Sequence, residues 1–317
     1  MRDAFGREIC YLRLSVTDKC NCRCTYCMPA KGVPTRTHDD VLSFEEMEAI
    51  VRAACELGVR KVRLTGGEPL VRRGIVGLVA MLAQVPGVDE LVMTTNATLL
   101  APMAARLRDA GLDRVNVSLD TLDAERYARI TRTGSLDDAL RGLAAAREAG
   151  FENTKVNCVL MGGVNDDEII ALASLARDAD LSVRFIELMP MGECASWPAG
   201  RFVSADVVLR SLPDLERVGS DDVAELYRMP GWQGTVGLIR PVSHRFCSGC
   251  DRIRVTADGM LKPCLHSAAE LPLRGLAGER LLSAIAEGIA AKPVGHSLGE
   301  GGSRASQTPR DMNEIGG

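Results

Sequence analysis

The stretch Tyr11-Leu12-Arg13-Leu14-Ser15-Val16-Thr17-Asp18-Lys19-Cys20-Asn21-Cys22-Arg23-Cys24-Thr25-Tyr26-Cys27-Met28-Pro29 changes character partway along. Leu12, Leu14 and Val16 fall on one face and Tyr11, Arg13 and Ser15 on the other, the period of a strand between two different surroundings. The second half is a loop dense in thiols, with Cys20, Cys24 and Cys27 spaced C-x3-C-x2-C. Barrel active sites gather at the C-terminal ends of the strands. If the strand belongs to such a barrel, the three thiols lie at its mouth.

Outward from this stretch the pattern repeats. Segment 43–57 opens with Ser43 and Glu46 in capping-box relation, carries Phe44, Met47, Ile50, Val51, Ala54 and Leu57 at helical spacing, and stops at Gly58. Strands are expected at 11–16, 60–65, 90–95, 114–119, 154–160 and 183–188, five of them preceded by helix-like stretches. Six βα units predict an α/β fold with a parallel sheet curled into a partial barrel. Val62 and Leu64 oppose Arg63 and Thr65; Val115 and Val117 oppose Asn116 and Ser118; Val156 and Cys158 oppose Lys155 and Asn157. With the apolar faces against helices, the lumen receives Arg13, Arg63 and Lys155. The alternative is three solvated edge charges. Desolvating unpaired cations costs several kcal/mol each, so inward cations call for an anionic ligand.

The chain of 317 residues is 46% hydrophobic and 25% charged, which excludes disordered and collagen-like classes. Its net charge of -4 excludes a nucleic-acid binder driven by bulk charge, so any anion site is local. No apolar run approaches the roughly 18 to 20 residues of a membrane span. The opening Met1-Arg2-Asp3-Ala4 lacks the basic-then-apolar pattern of a secretory leader, so the expected compartment is the cytoplasm. Seven of the eleven cysteines crowd into two short segments, which in a reducing compartment points to metal.

After about residue 190, Pro190, Pro198, Pro213 and Pro230 interrupt the βα pattern. The expected division is 1–190 for the barrel and 191–317 for a second region with its own cysteine set, Cys247-x2-Cys250-x13-Cys264. The tail 293–317, rich in Gly, Ser and Pro, is expected to be mobile unless something binds it. Read locally, each thiol set could bind metal in two ways, and the first could also be free thiols. Three thiolates can hold a [4Fe-4S] cluster with one iron open. Zinc is the other solution, with Cys22 completing the first set and His244 or His266 the second.

The cysteine spacing, with Tyr26 just before Cys27, resembles the radical S-adenosylmethionine (SAM) superfamily, as does Thr65-Gly66-Gly67-Glu68-Pro69. The run Phe246-Cys247-Ser248-Gly249-Cys250-Asp251-Arg252-Ile253-Arg254, followed by Asp258-Gly259 and Pro263-Cys264-Leu265, resembles the C-terminal cluster segment of the GTP 3',8-cyclase family. Matching pieces run over essentially the whole chain, among them Lys155-Val156-Asn157, Gly163-Val164-Asn165-Asp166 and the terminal Gly pair.

The resemblance implies a partial (βα)6 TIM barrel and a C-terminal region with a second cluster. Cys20, Cys24 and Cys27 would hold one [4Fe-4S] cluster, and Cys247, Cys250 and Cys264 another. Tyr26, Gly67, Ser118 and Met189 would contact SAM. Arg13, Arg63, Thr94, Lys155, Arg252, Ile253 and Arg254 would contact GTP, and Arg13, Arg252, Arg254, Gly316 and Gly317 would be the catalytic set. The implied reaction belongs to molybdenum cofactor biosynthesis: a 5'-deoxyadenosyl radical takes the ribose 3' hydrogen of GTP, and the ribose carbon attacks guanine C8. The implied partners are GTP, a reducing electron donor, a downstream cyclic pyranopterin monophosphate synthase and a second copy in a homodimer. Two other readings stay open, a different twin-cluster radical SAM enzyme such as a peptide maturase, and a zinc-stabilised binding module. Three positions depart from the family pattern: Cys22 stands in place of a hydrophobic residue, Ala97 in place of Gly, and Glu314 is acidic close to the terminal glycines.

Overall fold

The computed structural model describes residues 1–34, 36–298 and 305–316. Six strands, β1 (Tyr11–Ser15), β2 (Lys61–Thr65), β3 (Glu90–Thr95), β4 (Arg114–Ser118), β5 (Lys155–Leu160) and β6 (Ser182–Glu187), pair in that order and in parallel. Each end falls within one residue of the expected boundary. The first crossover helix, Phe44–Glu56, forms the reciprocal Ser43–Glu46 capping box and buries Met47, Ile50, Val51 and Ala54. The apolar side chains of the strands, Leu12, Leu14, Val62, Leu64, Val115, Val117, Val156 and Phe185, join the helices in one buried core. Their polar neighbours Arg13, Arg63, Asn116, Asn157 and Arg184 face the lumen and line a cavity.

Residues beyond 190 extend this sheet at both flanks. Beside β6 come β7 (Glu216–Asp221), β8 (Ala224–Arg228) and β9 (Thr235–Ile239), with β9 parallel to β6 and β7–β8 an antiparallel hairpin. Beside β1 come β10 (Arg252–Val255), parallel to β1, then β11 (Met260–Lys262) and β12 (Leu271–Pro272), both antiparallel. Asp222, in the β7–β8 turn, forms an ion pair with Arg252 on β10. The two flanks therefore meet across the lumen, which makes the open sheet a partial barrel. No helix of the described residues is long and apolar enough to cross a membrane.

The described part of the tail is bound by the rest of the chain, the condition under which mobility is not expected. Arg310 is clamped by Asp258 at 3.1 Å and Glu270 at 2.7 Å, and the Ser306 N–H donates to the carbonyl of Pro190. The short helix Met312–Ile315 starts at an Asp311–Glu314 capping box and buries Ile315. Composition scored the absence of apolar runs, whereas ion pairs and one buried isoleucine do the holding. Gly317 lies outside the described residues.

Candidate active site

The lumen holds a cavity of about 340 Å³, within the range of ligand sites. Cys20, Cys24 and Cys27 line it on the loop after β1, and Cys247, Cys250 and Cys264 line it around β10 and β11. Two thiol sets more than 200 residues apart in sequence thus open onto one space.

At the cysteine-loop end, the close approach of two backbones dictates the glycines. A Cβ added at Gly67 would lie 2.3 Å from the Lys19 carbonyl oxygen, and one at Gly66 would lie 2.4 Å from that of Thr17. Only glycine fits there. Glu68 is buried and ties the end of β2 to the end of β3: its carboxylate accepts from Thr95 Oγ1 at 2.7 Å, Asn96 N at 2.7 Å and Leu70 N at 3.1 Å. Burial nevertheless pushes its pKa up to about 7. Tyr26 donates its hydroxyl to Asp120 at 2.8 Å. Tyr26, Gly67, Ser118 and Met189 all line this part of the cavity. Burial pushes the thiols of Cys24 and Cys27 up, whereas a hydrogen bond with Cys22 holds that of Cys20 down; thiolate ligands at Cys24 and Cys27 would need the positive charge that a bound cluster brings. Cys22 is buried, and its Sγ accepts from Asn96 Nδ2 at 3.5 Å.

Between the two thiol sets stand the arginines. The carbonyl of Gly316 accepts from Arg254 Nη1 at 2.9 Å and from Arg13 Nη2 at 3.3 Å. Gly316 has φ +77°, and a Cβ there would lie 2.2 Å from Thr65 Oγ1, so this position too requires glycine. Arg63 donates to the Tyr11 hydroxyl and, at 3.1 Å, to Thr94 Oγ1. Burial and then Arg254 push the Arg13 guanidinium down; burial and then Arg252 push Arg254 down to about 10. A guanidinium keeps its proton across physiological pH, so these arginines crowd positive charge into one space that suits an anion. Among the described residues Asn116 Oδ1, Asn157 Oδ1 and Arg252 Nε are buried without hydrogen-bond partners, and all three side chains belong to the cavity lining. Orphaned acceptors and a donor around one space fit a polar ligand.

Two expectations change. Lys155 is not an unpaired lumen cation: its Nζ is paired with Asp221, and it stands behind the cavity lining rather than in it. The side chain of Ile253 belongs to the apolar core on the opposite face of β10 from Arg252 and Arg254, so only its backbone can meet a ligand. Sequence reading also passed over three residues. Arg184 alternates with Val183 and Phe185 and was legible by the same rule as Arg63. Asp221 and Asp222 sit on a hairpin with an exposed strand and no apolar alternation to announce it. Of the histidines, His266 lines the cavity with its ring 4.7 Å from that of His296, whereas His244 contacts Ser243 outside it.

Residues 14–176 match the Radical SAM superfamily, the class of protein that a partial barrel with this cysteine loop defines, and residues 181–298 match Molybdenum Cofactor Synthesis C. Superfamily membership carries with it a [4Fe-4S] cluster and SAM. The GTP 3',8-cyclase of Peptoclostridium acidaminophilum is 48% identical over 99% of this chain and 98% of its own length. Those of Alkaliphilus metalliredigens and Pelotomaculum thermopropionicum are 46% and 47% identical, each over the whole of both chains. The chain belongs to the GTP 3',8-cyclase family. Among solved structures, Streptococcus suis SuiB bound to precursor peptide SuiA shares the fold, with a TM-score of 0.62 at 14% identity, over 98% of this chain and 76% of that one.

Proposed function

We propose that this chain is a lyase that converts GTP to (8S)-3',8-cyclo-7,8-dihydroguanosine 5'-triphosphate, the first step of molybdenum cofactor biosynthesis. Relatives named for that activity, alike over their full length, support the reading. The observation that carries it is the single cavity onto which both thiol sets open, with Arg13, Arg252 and Arg254 between them. In this reading Cys20, Cys24 and Cys27 would hold the first [4Fe-4S] cluster, and Cys247, Cys250 and Cys264 would hold a second that binds the purine. When bound, the first cluster and SAM supply the 5'-deoxyadenosyl radical that takes the ribose 3' hydrogen.

The remaining work falls to the chain. Tyr26, Gly67, Ser118 and Met189 line the SAM side, where Gly67 lets the cysteine loop pack directly against the end of β2. Arg13, Arg63, Thr94, Arg252 and Arg254 hold the nucleotide, with Lys155 behind them and Ile253 serving through its backbone. Gly316 sets a backbone carbonyl against Arg13 and Arg254, and Gly317 follows it as part of the catalytic set. These contacts fix one hydrogen near the radical carbon and exclude water. The division falls near residue 190, between the barrel and a region that supplies the second thiol set and closes the lumen. An electron donor reduces the first cluster, and a cyclic pyranopterin monophosphate synthase takes the product. The enzyme is cytoplasmic and a homodimer, and it engages neither nucleic acid nor membrane.

Replacement of Arg13 or Arg254 by Ala tests the placement of GTP. A charge-assisted hydrogen bond contributes about 1.5 to 3 kcal/mol, so either change weakens GTP binding to the anoxic holoenzyme by about 10- to 150-fold. Unchanged affinity in both variants overturns it.

A further inference from the structure

The cations at the floor of the barrel already have partners, and the partners sit at the tip of one hairpin. Asp221 closes β7, and its Oδ2 meets Lys155 Nζ and, at 2.5 Å, Arg184 Nη2. Asp222, at φ +60°, turns its carboxylate to Arg252 Nη2 and lines the cavity. Lys155, Tyr11 and Arg252 are the first residues of β5, β1 and β10, so this cluster lies at the end of the barrel opposite the cysteine loop. The side chains of Lys155 and Arg184 are only 3% and 4% exposed, and the carboxylates are what balance them. Burial and then Arg184 press Lys155 down to about 7 even so.

Of the hairpin that delivers these carboxylates β7 is the weakly held strand, whereas β8 pairs with β9 and buries Ala224 and Tyr227. Among the described residues β7 is the free edge of the sheet, pairs only with β8, and is exposed at every position but its last. Its pairing slips between Arg217 and Gly219. An edge with few buried contacts opens at low free-energy cost.

We propose that Asp221 and Asp222 are resident counter-anions, displaced by the phosphate chain of the nucleotide when it enters the barrel. The proposal rests on the reading that GTP binds among these cations. Carboxylate and phosphate oxygens compete for the same N–H donors, and a triphosphate brings more charge and more bidentate partners for arginine. Apparent affinity is then reduced by the fraction of molecules whose hairpin is released. A nucleoside without phosphates leaves the hairpin seated.

The test uses the anoxic holoenzyme with both clusters in place. Asn at both positions keeps the size of the side chains and removes the charge. Asp221→Asn with Asp222→Asn is expected to tighten GTP binding about tenfold or more and to leave guanosine binding unchanged. Equal or weaker GTP binding in the variant overturns the proposal. Hydrogen exchange across residues 216–228 of the unaltered protein gives an answer that does not depend on the variant's folding. GTP is expected to accelerate exchange there while guanosine does not; unchanged or slowed exchange with GTP overturns it. If Arg13→Ala and Arg254→Ala both bind GTP normally, the placement of the nucleotide has failed. If they weaken binding and the Asn pair does not tighten it, only the counter-anion proposal has failed.

Discussion

Cys20 and Cys22 sit two residues apart on one loop, line the same cavity and share the Asn96 amide, and Cys22 is in addition backed by Gly134. The Sγ of Cys22 packs so close to Gly134 that a Cβ added there would be 3.1 Å away, which is the setting of a small buried hydrophobe. Cys22→Ala is expected to retain the iron of the first site and SAM cleavage, whereas Cys24→Ala loses both, as read by iron analysis and 5'-deoxyadenosine yield. Iron retained by Cys24→Ala but lost by Cys22→Ala reverses the ligand assignment. Glu68 makes a different demand. Three donors converge on its carboxylate, and Gln would turn an N–H group toward one of them. Leaving a buried donor unsatisfied costs about 1–3 kcal/mol, so Glu68→Gln lowers the denaturation midpoint by that equivalent without changing the iron content. A midpoint equal to that of the unaltered protein shows that the three contacts carry no such weight.

Among the elements, the tail makes the sharpest demand for one residue. Gly316 combines a left-handed backbone with a space that Thr65 Oγ1 and Ser15 close to any side chain. Gly316→Ala is expected to leave both clusters and SAM cleavage intact while lowering the yield of cyclised product per 5'-deoxyadenosine. An unchanged ratio shows that the seated tail has no part in coupling. The six central strands were legible because each separates an apolar outer face from a polar inner one, and Leu12 against Arg13 or Val62 against Arg63 records that split. The hairpin β7–β8 was not, because β7 lies in solvent on both faces and neither face selects apolar residues. The seating of Arg310 between Asp258 and Glu270 was equally invisible, since it joins residues 40 and 52 positions apart with no periodicity.

For the whole molecule, the lumen unites what sequence could only place in order. Alternation along single strands pointed Arg13 and Arg63 inward, and the fold brings them to the same space as both thiol sets. It could not tell that Lys155 would be met by Asp221, because a pairing across the lumen depends on how far the sheet curls. Two clusters at separate places in the chain predict about eight irons per protein, and Ala at Cys247, Cys250 or Cys264 reduces this to about four while sparing SAM cleavage. Loss of all the iron in such a variant means that the sites do not assemble independently. The account as a whole turns on what the cavity does to GTP. The measurement that tests it most directly is anoxic incubation of the two-cluster protein with SAM, a reductant and GTP, following 5'-deoxyadenosine and 3',8-cyclised nucleotide together. The account predicts that both appear with matching loss of GTP; 5'-deoxyadenosine formed while GTP stays intact contradicts it.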